Sequence, residues 1–250
     1  MSSATALDAY WSFFASFNSR DAETFSGALN YPHVRVSSRG TPAVVPTLAD
    51  HAATATWDRV LAMGWDHTNG HEPRVLHDSP DRAHIVGGWT RVDADDGNVL
   101  MNRVTYIVTK TEPGWGIQCR FGTDGGTATT SGESDEHHER AVALVADYVD
   151  GYNDRDWERC AALLTTPHFK IDVGMVREWH SREDLASAFR DGPWHFVTGI
   201  RAEAVQGGAR SVTVALDGVI DGGDRSLACL FFVVNKGEGW GIQARSIIET

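Results

Sequence analysis

One stretch of this chain occurs twice. Near the start it runs Phe17-Asn18-Ser19-Arg20-Asp21 and then Tyr31-Pro32-His33-Val34-Arg35; later it runs Tyr152-Asn153-Asp154-Arg155-Asp156 and then Thr166-Pro167-His168-Phe169-Lys170. Asn18 and His33 are as far apart as Asn153 and His168, so the stretches align without a gap. Each copy also closes alike, with Gly114-Trp115-Gly116-Ile117-Gln118-Cys119-Arg120 and Gly239-Trp240-Gly241-Ile242-Gln243-Ala244-Arg245. A tandem duplication commits the chain to folding one unit two times, which sets aside any architecture with a single continuous core. The repeat is far longer than the roughly 20–50 residues of a solenoid module, so two domains are expected and not an array. They divide as 1–121 and 139–250, joined by 122–138, where Gly, Thr, Ser, Asp and Glu without apolar period predict a flexible linker.

Composition decides what the units can bind. At 42% hydrophobic and 10% aromatic residues the chain can fill two cores, which excludes wholesale disorder. A formal charge of −12 with no basic run repels phosphate backbones and anionic lipid, so neither nucleic acid nor a membrane surface is an expected partner. No apolar run approaches membrane-spanning length. Three cysteines, odd in number and without Cys-x-x-Cys spacing, predict reduced thiols and a cytoplasmic protein, and the first residues carry no signal-peptide pattern. Phosphate-loop, dinucleotide and Gly-x-Ser-x-Gly motifs are missing, so no nucleotide cofactor and no serine hydrolase chemistry is expected. His67, His71, His77 and His84 have no metal-ligand spacing, and no metal is assigned to them.

Periodicity gives the elements. A helix is expected over Ala6–Asn18 with Leu7, Trp11, Phe14 and Phe17 as its buried stripe, then a short helix from Asp21 that Pro32 ends. A strand follows at Val34 and Val36, then a Pro-punctuated loop, and a helix from the cap Thr47-Leu48-Ala49-Asp50 to Met63. Strands are expected near 73–76, 83–92, 99–110 and 114–121, the middle pair joined by the hairpin turn Asp95-Asp96-Gly97-Asn98. The second unit repeats the order: a stripe of Val142, Val145, Val149 and Tyr152, a short helix over 156–164, and a strand at Phe169, Ile171 and Val173. A helix capped by Ser181 comes next, then strands near 200–205, 211–220, 226–234 and 239–248. Helices covering one face of a curved antiparallel sheet make each unit an α+β cone.

The aromatic first helix ending in Asn-x-x-Asp, the Pro-His strand entry and the terminal Gly-Trp-Gly-Ile-Gln-x-Arg strand resemble the nuclear transport factor 2-like superfamily, in particular its SnoaL-like branch. The resemblance covers both units and leaves out the linker. It implies a pocket inside each cone and, because such folds pair through the outer face of the sheet, an intrachain pseudo-dimer, with further homo-oligomers allowed. The superfamily includes ketosteroid isomerase, dehydratases, an epoxide hydrolase and polyketide cyclases beside members without activity, so the fold leaves the chemistry open.

Candidate residues concentrate in the second unit. Tyr148 and Asp172 sit where ketosteroid isomerase carries a Tyr and a general-base Asp; the resemblance implies proton abstraction next to a carbonyl, with Tyr148 stabilising the enolate. The isomerase's protonated Asp has no counterpart in Cys229-Leu230-Phe231, and alternation puts Asp172 with Lys170 and His168, opposite Phe169 and Ile171. A surface Lys–Asp pair is therefore the competing reading. His67 and His195, read as equivalent positions after the third helix, suit either an acid/base imidazole, with Asp66 or a strand carboxylate to orient it, or a structural hydrogen bond. Asp217, in mid-strand, is a candidate pocket acid, with Trp89 at its place in the first unit. His33, Arg35, His168 and Lys170 read as surface or interface contacts, Arg91 and Asp93 as a salt bridge flanking a turn, and Gln118/Arg120 and Gln243/Arg245 as pocket-lining groups or bridges between the sheets, the bridge being preferred. The first unit has Phe13 and Ser37 at the Tyr148 and Asp172 positions and is expected to be the less catalytic. The functional expectation is a cofactor-independent isomerase, dehydratase (a lyase) or cyclase acting on a small apolar carbonyl or polyketide-like molecule; the alternative is non-catalytic small-molecule binding or a structural pseudo-dimer.

Overall fold

A computed structural model describes residues 3–38, 42–123, 131–237 and 239–250. The chain divides into two units, Met1–Ala128 with Val173–Met175, and Thr129–Asp172 with Val176–Thr250. The first contains α1 (Ala6–Asn18), α2 (Ala22–Ser26), β1 (Leu29–Ser37), β2 (Ala43–Val45), α3 (Leu48–Thr54), α4 (Asp58–Leu61), β3 (His67–Gly70), β4 (Arg74–Asp78), β5 (Arg82–Val92), β6 (Asn98–Thr111) and β7 (Gly114–Gly122). The second contains α5 (Ser131–Asn153), α6 (Trp157–Ala162), β8 (Leu164–Asp172), β9 (Met175–Trp179), α7 (Arg182–Asp191), β10 (Val197–Gly207), β11 (Ser211–Ile220), β12 (Arg225–Asn235) and β13 (Trp240–Glu249). Strand order is β2-β1-β7-β6-β5-β3, with β4 also on β5, in one sheet and β10-β11-β12-β13-β8-β9 in the other. Each unit is thus an α+β cone. The meanders are antiparallel, and the first long strand of each unit joins the last in parallel, β1 on β7 and β8 on β13.

The duplication is visible bond by bond. At the end of α1, Asn18 Nδ2 donates to the Thr68 carbonyl and Asn18 Oδ1 accepts from the Thr68 amide, both at 2.9 Å. At the end of α5, Asn153 makes the same pair with Val197, at 2.8 and 2.9 Å. Two residues on, Arg20 and Arg155 both take the left-handed conformation at φ 58°, where a non-glycine residue is strained. Both guanidinium groups lie over an indole, Trp65 at 5.0 Å and Trp194 at 3.9 Å, which helps offset that strain. Tyr31–Pro32 and Thr166–Pro167 are both cis.

The helices form where caps and apolar faces agree. Thr5 closes a capping box with Asp8 and starts α1. The buried apolar residues of α1 are Ala6, Ala9, Tyr10, Phe13 and Phe14, whereas Leu7 and Trp11 are exposed. The stripe expected from Leu7 and Trp11 is therefore out of phase, because nearly all of this helix is apolar or small and the widest rings turn to the sheet. On α5 the buried set is Ala141, Val145, Tyr148 and Val149. The helix expected from Thr47 to Met63 breaks at the extended Ala55 into α3 and α4. This lets Trp57 Nε1 reach the Phe17 carbonyl at 2.9 Å. Ala43–Val45, expected as loop, pairs with β1. Part of the stretch expected as linker is helical, since α5 begins at Ser131; acidic Asp135 and Glu136 suit a helix N-terminal region, and residues 124–130 lie outside those described.

The interiors differ. The first cone is packed with rings: Tyr10, Phe13, Phe14, Phe25, Trp57, Trp65 and Tyr106 are all buried. Tyr10 makes edge-on contacts at 5.1 and 5.2 Å to Phe14 and Tyr106. Its hydroxyl donates to the His71 carbonyl at 2.7 Å, and Gly87 is required beside it, since a Cβ there would stand 2.4 Å from the phenol oxygen. The second core is built mostly from aliphatic side chains, among them Val145, Val149, Leu185, Val214 and Leu216. Among the described residues no helix is long and apolar enough to cross a membrane.

Candidate functional site

Aliphatic walls leave space that the rings of the first unit fill. A cavity of about 250 Å³ opens inside the second cone, with Val149, Leu185, Leu216, Leu227 and Phe231 among its apolar walls. Its polar residues come from four elements and one loop. They are Tyr148 and Tyr152 on α5, Lys170 on β8, Arg177 on β9, Arg245 and Glu249 on β13, and His195 before β10.

Alternation on β8 and β13 places these groups. Lys170 and Arg245 are register partners, and both line the cavity. Phe169 and Ile171 are buried on the opposite face. The inward face of β8 is thus the His168–Lys170–Asp172 face. His168 and His33 are 0% and 2% exposed, which corrects their reading as surface or interface contacts. Each imidazole Nδ1 lies 3.0 Å from a backbone carbonyl, of Ile117 for His33 and of Ile242 for His168. A carbonyl only accepts, so Nδ1 carries the proton and Nε2 keeps its lone pair. Burial, joined by the charge of Arg120 or Arg245, holds both rings well below the usual histidine range, and they are neutral.

Tyr148 and Arg245 form the first polar pair of the cavity. The Arg245 guanidinium donates through Nη1 to the Tyr148 hydroxyl and lies over the rings of Tyr148 and Phe189. Burial pushes the Tyr148 phenol well above its ordinary value despite the opposing charge of Arg245, so it keeps its proton as a donor. Gln118/Arg120 and Gln243/Arg245 were open to lining a pocket or bridging the sheets, with the bridge preferred; Arg245 is 6% exposed and lines the cavity, the other of the two.

His195 and Asp221 form the second. His195 Nδ1 lies 2.8 Å from Asp221 Oδ2 and 3.1 Å from Arg225 Nη2; in the tautomer that donates from Nδ1 to the carboxylate, the shorter contact, Nε2 carries the free lone pair. Burial works to raise the Asp221 carboxyl. Hydrogen bonds from His195, the Phe196 amide at 3.1 Å and Arg225 at 3.4 Å outweigh it and hold the group below the usual carboxylate range. Asp221 sits in the turn between β11 and β12. Its φ of 50° is positive, and its partner His195 lies 26 residues earlier in another loop, so no local motif marks the pair.

The other candidates lie elsewhere. Asp172 is half-buried and pairs with Lys170 Nζ at 3.4 Å, but it does not line the cavity. Asp217 is exposed: Leu216, its neighbour on β11, faces the cavity, and alternation turns Asp217 away. His67 belongs to the first unit, with its Nδ1 3.0 Å from Asp66 Oδ2. The asparagine clamps match Thr68 to Val197, so His195 corresponds to Asp66 and His67 to Phe196, one residue off the expected equivalence. By the same offset Gly88, and not Trp89, corresponds to Asp217; each pairs with the matching position of the next strand, Arg103 and Ala228. Asp93 accepts from the amides of Gly97 and Asp95 at 2.7 and 3.0 Å and closes its turn, while Arg91 stacks over Trp89 at 4.5 Å, so they form no salt bridge.

No family model and no curated protein matches the chain. Among solved structures it is similar to a protein from Sphaerobacter thermophilus, at 21% identity over 43% of this chain and 93% of that one, with a TM-score of 0.33. It is also similar to a nuclear transport factor 2-like protein with a cystatin-like fold from Novosphingobium aromaticivorans, at 18% identity over 44% and 79% of the chains and a TM-score of 0.33. A nuclear transport factor 2-like protein from Shewanella baltica matches at 14% identity over 49% and 98%, with a TM-score of 0.36.

Proposed function

We propose that the second unit binds a small, largely apolar carbonyl compound in its cavity and moves a proton on it, in an isomerisation, dehydration or cyclisation. The observation that carries this reading is that one apolar cavity is lined by both a hydrogen-bond donor backed by a cation, Tyr148–Arg245, and an imidazole with an orienting carboxylate, His195–Asp221. His195 Nε2 takes the proton from the carbon next to the carbonyl. The electron pair moves onto the carbonyl oxygen, where the Tyr148 O–H stabilises the enolate with Arg245 behind it. Return of the proton to another carbon completes an isomerisation; its delivery to a departing hydroxyl completes a dehydration. The three cysteines, all buried and unbridged, fit a reducing compartment such as the cytoplasm.

The test is exchange of the α-protons of 4-phenylbutan-2-one in deuterated buffer, followed by NMR. Wild type should exchange faster than buffer, and Tyr148→Phe and His195→Gln should each lose about 100-fold. Wild-type exchange at the buffer rate sinks the catalytic reading. Binding without exchange supports the alternative, a non-catalytic carrier, which the pairing of Asp172 with Lys170 also favours because it leaves that carboxylate outside the cavity.

A further inference from the structure

The two copies of the terminal Gln-x-Arg motif treat their arginine differently. In the first unit Arg120 Nε donates to His33 Nε2 at 3.3 Å, so a half-buried donor meets the acceptor of the buried imidazole. In the second unit the equivalent Arg245 has turned to Tyr148, and both atoms of the matching pair are left open. Arg245 Nε and His168 Nε2 are buried without any hydrogen-bond partner. Groups so enclosed nearly always have partners, since desolvating a donor or acceptor without replacement costs about 1–3 kcal/mol and a charged one more.

Charge points the same way. No carboxylate lies within ion-pair distance of Arg245 among the described residues. The cavity lining holds three cations, Lys170, Arg177 and Arg245, against the single carboxylate of Glu249. That carboxylate is already taken by Arg225 Nη1 at 3.1 Å. Lys170 is paired with Asp172 at 3.4 Å and Arg177 is exposed, so within this lining the buried guanidinium of Arg245 is the cation left without a counter-charge. A water molecule could fill either open hydrogen bond, but it would leave the buried guanidinium without a counter-charge.

We infer that the ligand of the second cone carries a carboxylate, and that Arg245 is its receptor through Nε–H and its free Nη–H groups. A planar guanidinium matches a carboxylate with two parallel hydrogen bonds, which a point charge such as Lys170 does not. The cavity's roughly 250 Å³ is the room of about eight water molecules at about 30 Å³ each, so the ligand is small, on the scale of one ring and a short acidic chain. The inference deepens the proposed reading and rests on the cavity being a ligand site; it does not require that chemistry follow.

The test compares 3-phenylpropanoate with its methyl ester by titration calorimetry on the full chain. The acid should bind about 10- to 100-fold more tightly than the ester, the range expected for losing a charge-assisted pair. Arg245→Gln should remove that preference, Arg245→Lys should restore part of it, and Arg120→Gln should leave it intact. The acid-over-ester comparison on wild type stands even if an Arg245 variant fails to fold. Equal affinity for acid and ester, or binding of neither, overturns the inference. Acid-selective binding without proton exchange on any ketone upholds it while removing the catalytic reading. Exchange on neutral ketones with no acid preference does the reverse.

Discussion

Truncating Asn153 to alanine deletes both bonds of the clamp that ties the end of α5 to the start of β10, the contacts at 2.8 and 2.9 Å with the two polar groups of Val197. Each such bond stabilises by about 1 kcal/mol net, and the stranded amide and carbonyl, only partly reached by water, add a share of their desolvation cost. The expected loss is about 2–3 kcal/mol, or about 1–2 M in a urea midpoint for a domain of this size. Val197 lines the cavity and lies two residues after His195, so loosening it also blurs the segment that presents the imidazole. Binding of 3-phenylpropanoate should weaken by about tenfold, a loss of about 1.4 kcal/mol. Asn18→Ala supplies the internal control, since it breaks the same two bonds in the first unit. It should destabilise by a similar amount and leave binding unchanged. Urea unfolding followed by far-ultraviolet circular dichroism, with titration of each folded variant, reads both quantities. A loss below about 0.5 kcal/mol for Asn153→Ala, or equal effects of the two variants on binding, would refute the reasoning.

Acid should weaken the fold early. Burial holds His33, His84 and His168 neutral and pushes His51 down to about 4, while the unfolded chain takes protons near pH 6.5, so stability present above pH 6.5 is lost as pH falls from there towards 4; urea midpoints at pH 7 and pH 5 check it, and an unchanged midpoint contradicts it. Asp172→Asn, at a carboxylate outside the cavity, should change α-proton exchange less than tenfold, whereas Asp221→Asn, which removes the orienting carboxylate of His195, should slow it by more than tenfold; the same NMR assay ranks them. Asp217→Asn, at an exposed strand position, should leave stability within about 0.5 kcal/mol of wild type, read by urea unfolding.

How much of this was legible in the sequence varies with the kind of signal. The limits of α1 and the ends of β5, β6, β7 and β11 fall within a residue or two of their expectation, because caps and Gly- or Asp-rich turns act locally. The inward face of β8 was not legible. Its alternation separates Phe169 and Ile171 from His168 and Lys170, but every one of these is substantially buried, so polarity does not tell inside from outside. The same ambiguity left Arg245 between pocket and bridge, since its motif was plain in both copies while its direction was not. Asp221 carries no local signal because its partner His195 comes from another loop, and an acid in mid-strand such as Asp217 looks the same in sequence whichever way it points. Residue type alone pairs His67 with His195; the hydrogen bonds of Asn18 and Asn153 set the register one residue away.

The central claim, that the second cone is the ligand site and the first is filled by its own rings, is tested most directly by mapping a titration of 3-phenylpropanoate on the amide and arginine Nε signals of isotope-labelled protein. Saturable shifts at Tyr148, His195, Val197 and the Arg245 Nε, with Phe13, Tyr106 and Arg120 unmoved, are the result predicted. Shifts centred on the first unit, or none at Arg245 while the ligand binds, would contradict it.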